Sequence, residues 1–483
     1  MLEPGRNCWR IARADRAALI IDAADYFRLA RQAMLEARSQ ILMIGWDFDT
    51  RISLDPDAGG DVPEQLGPFV SWLADNRKDL SIHILKWDIG AVKLLGRGST
   101  VFRLARWAAD DQIHFKLDGA HPTGASHHQK ILVIDDTLAF CGGIDMTADR
   151  WDTREHRDRD KRRKRPTTGR LYMPWHDATM AVDGEAARSL GELARNRWAA
   201  AGGKPLGPPR AAGTDPWPQA LEATFRDVDV AVARTRGAYK DLEAVREIEA
   251  LYVDMIARAK RFVYAENQFF ASRVIARAIA RRLAEPDGPQ FVLVNPCVVD
   301  GWLEEKVMSP ARERLMRMLA EHDRYGRFRI YTPVTEGGED IYVHSKITIV
   351  DDETLRVGSA NMNNRSMGLD SECDLLIDAR LPANAGAGPA IARIRCDLLA
   401  EHLGATGEAV ETTFAKTGSL IGTIEALRGE GRTLVPFEPE APNAVEEKIA
   451  ETEMLDPESA GDDFEPMARP GLFSGAFSSL GSR

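Results

Sequence analysis

The 483-residue chain has little of what marks several protein classes. Its five cysteines are odd in number and follow no close spacing, which argues against a disulfide framework or a zinc-binding set and points to a reducing compartment. No stretch approaches the roughly 18 uninterrupted apolar residues that a membrane-spanning helix needs. The opening Met1-Leu-Glu-Pro-Gly-Arg6 lacks the apolar core of a secretion signal. A soluble, cytoplasmic chain is expected, with any membrane contact peripheral and export without a cleavable signal left open. A uniform charge is missing as well. The net charge is -11, but eleven acidic and three basic residues lie between Pro436 and Arg483, so that segment carries -8 and the body only about -3. The segment is rich in Glu, Pro, Ser and Gly and reads as a disordered tail.

What is present is an internal repeat. His128 to Asp145 and His344 to Asn361 share the skeleton His-x-Lys-x-x-x-x-Asp with a glycine fourteen residues after the His, at an offset of 216. The two copies agree at six of eighteen positions, and these are mostly the chemically reactive ones. Ile131-Leu-Val-Ile134 and Ile347-Thr-Ile-Val350 read as buried strands, and alternation places each His on the same strand face as its Lys. Asp177 to Asp183 parallels Glu372 to Asp378, again a strand opened by a carboxylate, but at an offset of 195. The first half therefore carries 21 extra residues, among them the most basic run of the chain, Arg157 to Arg165.

Helix-strand alternation recurs in both halves, and glycine and proline crowd at Gly202-Gly-Lys-Pro-Leu-Gly-Pro-Pro209. The expected organisation is an N-terminal domain over residues 1–205, a C-terminal domain over 206–432, and an acidic tail over 433–483.

These motifs are similar to those of the phospholipase D superfamily, whose paired HxKxxxxD motifs are followed by GG or GSxN. Arg150-Trp-Asp-Thr153, Pro174-Trp-His-Asp177, Glu266-Asn-Gln-Phe-Phe270, Gly358-Ser-Ala-Asn-Met-Asn-Asn-Arg-Ser-Met367 and Asp370-Ser-Glu372 resemble segments of its phospholipid-cleaving members. The resemblance spans about residues 8 to 430. It implies two similar α/β/α sandwich domains, the phospholipase D fold, about a pseudo-twofold with the active site at their interface.

The chemistry such a site needs can be read from the residues. A phosphodiester repels a nucleophile, so a site without metal must neutralise the anionic oxygens, supply an attacking group and protonate the leaving alcohol. Lys130 and Lys346 suit the first task and His128 and His344 the others, with Asn361 shaping the pocket. A histidine that reacts through one nitrogen needs its other nitrogen fixed. Asp177 and Glu372 fit that role, which the resemblance also implies. It further implies that His128 is the nucleophile and His344 the acid/base. Asp135 and Asp351 read as structural anchors, and the ten histidines as forming no metal constellation.

The expected function is hydrolysis of glycerophospholipids to phosphatidic acid and free headgroup through a phosphohistidine, with transfer to alcohols as a side reaction. No cofactor, metal or nucleic acid is expected, the chain is read as a monomer, and Arg157 to Arg165 are a candidate contact with anionic membranes. Within the same superfamily the alternatives are a phosphatidyltransferase such as a cardiolipin synthase, or a nuclease. The alternative of another class, an inactive membrane-binding scaffold, is at odds with two intact motifs.

Overall fold

The structure, a computed structural model, describes residues 2–88, 99–107, 109–210, 213, 215–297 and 302–438. In the first half the strands are β1 (Arg10–Ile21), β2 (Gln40–Gly45), β3 (Ser81–Trp87), β4 (Ile113–Asp118), β5 (Ile131–Ile134), β6 (Leu138–Gly142), β7 (Trp175–His176) and β8 (Ala178–Asp183). The second half contributes β9 (Phe225–Arg236), β10 (Val245–Arg246), β11 (Phe262–Glu266), β12 (Gln290–Val294), β13 (Phe328–Val334), β14 (Tyr342–Val343), β15 (Ile347–Val350), β16 (Thr354–Gly358), β17 (Glu372–Asp378) and β18 (Thr433–Pro436).

All but β7 and β14 join one sheet, ordered β18-β13-β12-β11-β15-β16-β17-β9-β1-β8-β6-β5-β2-β3-β4, with β10 paired to β9. Outward from the central pair, each step matches across the halves: β8 with β17, β6 with β16, β5 with β15, β2 with β11, β3 with β12, β4 with β13. The seam is antiparallel and runs from Arg10 opposite Val232 to Ala17 opposite Phe225. The expected duplicated α/β architecture is present, and its two sheets are hydrogen-bonded into one.

Burial follows the same symmetry. Every residue of β5 and β15 is buried, as expected for apolar strands covered on both faces. On one face a single core passes through both halves beneath the helices Gly184–Ala200 and Gly388–His402. On the other face each half has its own core, under Ala23–Leu35 and Leu66–Asn76 in the first and Glu247–Arg258 and Arg273–Leu283 in the second.

Two motif positions explain themselves. A Cβ on Gly142 would stand 2.4 Å from the Thr179 backbone, and one on Gly358 would stand 1.9 Å from the Asp374 carboxylate and 2.6 Å from its Cα. The glycines thus let the motif strands approach β8 and β17. Asp135 accepts the backbone N–H groups of Arg38, Ser39 and Gln40, and Asp351 those of Lys260, Arg261 and Phe262. Each motif Asp ties the turn after its strand to the start of the neighbouring strand, the anchoring expected of it.

The tail requires a correction at its start. Thr433–Pro436 is not disordered but pairs antiparallel with β13, because Leu434 is an apolar side chain that buries completely at the sheet edge. Residues 439–483 lie outside the described part.

Candidate active site

The two motifs meet because each is stitched to the other half. The short strands β7 and β14 pair in parallel, and the N–H of His344 donates to the carbonyl of His176 at 2.7 Å. At the equivalent place the N–H of His128 donates to the carbonyl of Ser371 at 3.0 Å, and that of Ser371 to the carbonyl of Ser126 at 3.0 Å.

The histidine–carboxylate couples cross between halves. His128 Nδ1 lies 3.0 Å from both oxygens of Glu372, and His344 Nδ1 lies 2.7 Å from Asp177 Oδ2. In each couple Nδ1 is engaged and the ring is oriented, leaving Nε2 as the reactive atom. Glu372 also accepts the hydroxyls of Ser359 (2.5 Å) and Ser366 (2.7 Å). Asp177 accepts the N–H of Ala178, and its own N–H donates to Asp22 at 3.0 Å.

Both lysines are buried. Lys130 Nζ donates to the His128 carbonyl at 2.8 Å and lies 3.3 Å from Asp145. Lys346 Nζ donates to the His344 carbonyl and sits 3.5 Å from Gln268 Oε1. Asn361 is buried, its N–H donates to Ser366 Oγ, and its side-chain oxygen has no partner. Trp175 stacks on Tyr342 at 4.5 Å between ring centroids, packs 5.2 Å from His344 and carries Arg150 over its face at 4.3 Å. The structure thus brings all seven candidate residues, His128, Lys130, Asp177, His344, Lys346, Asn361 and Glu372, to the junction of the halves.

Burial governs their charge states. It holds His128 well below the usual imidazole range, with Lys130 and Lys346 adding to the effect, and does the same to His344 with help from Lys346, Arg150 and Lys130. Burial pushes Glu372 up to about 8 against the pull of Lys130, and it raises Asp177. It brings Lys346 down to about 7 although Asp177 opposes the change. Both imidazoles rest neutral, the form in which one can attack.

Sequence reasoning missed a group behind His344. His156, His176 and His402 converge with Asp22, Asp152, Glu266 and Glu401, all buried. The sequence reading expects no metal constellation among the histidines; Asp22, His156, His176 and Glu401 nevertheless bring potential ligand atoms within 4.8 Å of one another. The residues come from five separate stretches of chain, so no local spacing marks them; only Pro174-Trp-His-Asp177 and Glu266-Asn-Gln268 gave a hint.

The 21-residue insertion is also different from a solvated loop. Arg163 is 1% exposed and bonds Asp152 at 3.1 Å, which removes it from any membrane contact. Arg162 pairs with Asp160 and lies over Trp151, and Arg165 pairs with Asp149. Arg157, Arg159, Lys161 and Lys164 are exposed.

The duplicated α/β fold thus brings two histidine–carboxylate couples, crossed between the halves, to one shared seam. The chain is similar in sequence to phospholipases D of the phospholipid-cleaving kind. A family model described as Phospholipase D matches residues 332–418. The chain is 26% identical over 421 residues to Phospholipase D A of Dictyostelium discoideum, a match covering 72% of this chain and 32% of that protein. It is also 26% identical over 516 residues to Phospholipase D alpha 1 of Carica papaya, covering 77% and 63%. The chain thus spans 32% and 63% of the lengths of these two relatives. Among solved structures, a phosphatidylserine synthase from Haemophilus influenzae shares the fold, with a TM-score of 0.55, 13% identity, and coverage of 86% of this chain and 96% of that one. No helix among the described residues is long and apolar enough to cross a membrane.

Proposed function

We propose that the protein hydrolyses glycerophospholipids at the bond between phosphate and headgroup, releasing phosphatidic acid, with alcohols competing with water as acceptors. The observation that carries this reading is the crossed pair of couples, His128–Glu372 and His344–Asp177, each with a buried lysine beside it. Lys130 and Lys346 neutralise the nonbridging oxygens. His128 Nε2 attacks phosphorus while the bond to the headgroup oxygen breaks, and His344 gives that oxygen its proton. Water then attacks the phosphohistidine, losing its proton to His344 and freeing His128. His128 is assigned as nucleophile because its side chain is the more accessible, 16% against 6% exposed. The anionic phosphate, close to His344, favours the protonated imidazole that the first step requires. Arg157, Arg159, Lys161 and Lys164 serve as a peripheral contact with anionic headgroups, and the chain acts as a monomer.

Purified protein incubated with a panel of phospholipids, with and without ethanol, tests this. Phosphatidic acid in water and phosphatidylethanol with ethanol are the expected products by mass. The phosphatidyltransferase reading draws on the neighbour named a phosphatidylserine synthase. Transfer to an alcohol with negligible hydrolysis would favour it, and cleavage of DNA without lipid turnover would overturn both.

A further inference from the structure

Four of the side chains behind His344 form a ring. His176 Nδ1 and His156 Nε2 lie 2.9 and 3.1 Å from the same Glu401 oxygen, and Asp22 turns one oxygen to each imidazole, both at 3.5 Å. An ion with tetrahedral ligands at about 2.0–2.1 Å separates neighbouring donors by roughly 3.3 Å. The two Glu401 edges fall slightly below that separation, and the two Asp22 edges, made by different carboxylate oxygens, slightly above it. Two of the facing atoms, His176 Nδ1 and Asp22 Oδ2, are fully buried without a hydrogen-bond partner. Their ring neighbours, a Glu401 oxygen 2.9 Å from His176 Nδ1 and His156 Nε2 3.5 Å from Asp22 Oδ2, are close but make no well-formed hydrogen bond with them. Burying such atoms unsatisfied is costly.

The outer support fits as well. The far nitrogen of His156 meets Asp152 at 3.0 Å, that of His176 meets Glu266 at 2.8 Å, and the second Glu401 oxygen accepts Arg154 Nε at 2.5 Å. A carboxylate behind each ligating imidazole fixes its tautomer and ring orientation in metal sites. The neighbouring trio of His176, Glu266 and His402 is tied by hydrogen bonds of 2.8 and 3.1 Å to Glu266, whereas the ring has one such bond, between His156 Nε2 and Glu401 at 3.1 Å, and two atoms left unbonded.

We propose that Asp22, His156, His176 and Glu401 hold one divalent transition-metal ion, zinc by the donor set, as a structural clasp behind His344. Four protein ligands leave no open position, so the ion takes no part in the reaction. It joins the insertion, the end of the helix Gly388–His402 and the start of the helix Ala23–Leu35 to the strand beside the motif. His176 receives the backbone N–H of His344, and Asp22 bonds the backbone of Asp177 in both directions. The clasp therefore positions the His344–Asp177 couple. The inference is independent of the lipid reading, since it concerns groups that touch no reacting atom.

Elemental analysis of the purified full chain should find about one metal ion per molecule. Removal with dipicolinate should lower the melting temperature, and zinc or cobalt should restore it. Cobalt should give the intense visible bands of a tetrahedral site, absent in His156→Gln and Glu401→Gln. Asp152→Asn, which leaves all four ligands, should bind about 10- to 100-fold more weakly. If the ligand variants do not fold, the wild-type cobalt spectrum and the metal-dependent melting shift decide the matter alone. Protein purified without metal, whose melting temperature ignores added zinc and cobalt and which shows no cobalt bands, would overturn the proposal. So would bands retained in His156→Gln.

Discussion

His128 and His344 stand at equivalent places ahead of β5 and β15, yet the carboxylate behind each is held differently. Glu372 faces His128 with both oxygens and is steadied by two serine hydroxyls. Asp177 meets His344 with one oxygen and is fastened through its backbone to Asp22, at the edge of a cluster of three imidazoles and four carboxylates. Duplication supplied the same reactive atoms twice, while the surroundings diverged. Hydroxyls can donate to either oxygen of a neutral or charged acid, so the Glu372 side tolerates a change of protonation. The Asp177 side sits against fixed ionic partners and keeps its geometry by many bonds. Such a difference suits one imidazole that makes and breaks a covalent bond and another that carries a proton through both steps.

The largest effect expected from breaking this asymmetry is at the histidines. His128→Asn should abolish turnover and leave no adduct, whereas His344→Asn should lose about 10²–10⁴ in rate and still accumulate phosphate on His128 from an activated substrate. Peptide mass mapping of the acid-labile adduct decides, and an adduct on His344 in the wild type would exchange the two roles.

The carboxylates come next. Asp177→Asn should lower kcat by about 10²–10⁴, because the amide cannot hold the imidazole in the same protonation pattern. Glu372→Gln, nearly isosteric with a neutral acid, should cost less. Glu372 is raised from an ordinary 4.5 to about 8, so its contribution to stability is complete below about pH 4.5 and is lost as pH rises toward 8. The variant lacks this loss, and its unfolding midpoint should improve relative to wild type across that interval. A constant difference would show that Glu372 stays ionised.

Lys346 provides a smaller effect. Brought down to about 7, it loses its charge as pH rises through neutrality, and kcat/KM should fall along an alkaline limb near that value. Lys346→Arg, which keeps its charge, should move the limb upward even if the rate is lower, and an unmoved limb would place the titration elsewhere.

Smallest is the effect of the insertion, found only on the Asp177 side. Replacing Arg157, Arg159, Lys161 and Lys164 with Ser should weaken binding to anionic vesicles by up to about 1 kcal/mol per residue at low salt. Turnover of a soluble short-chain substrate should not change. Equal loss on both substrates would mean that the loop shapes the site.

Much of the site could be read from the chain because its chemistry is local: a His, a Lys and an Asp within eight residues, repeated at a fixed offset. The crossing of the couples could not, since the same strands would serve if each carboxylate faced its own histidine. The central seam was also missed. β1 and β9 carry arginines and aspartates between their alanines and valines, so neither shows the unbroken apolar run of a buried strand, but Arg10 reaches Glu192, Arg16 reaches Asp183 and Arg234 reaches Glu247. Those charges are neutralised by partners from other segments. The imidazole cluster was invisible for a related reason, its members being gathered by topology from residues 22 to 402.

The seam has a mechanical consequence. Two-lobed proteins commonly breathe about a hinge, but here the lobes share a ladder from Arg10–Val232 to Ala17–Phe225, and opening the cleft would mean tearing it. Each lobe produced alone would present that ladder as a long unpaired edge, a template for joining another chain. The first lobe on its own is thus expected to pair with a second copy of itself along β1, and mixing it with the other lobe should exchange that false seam for the native one.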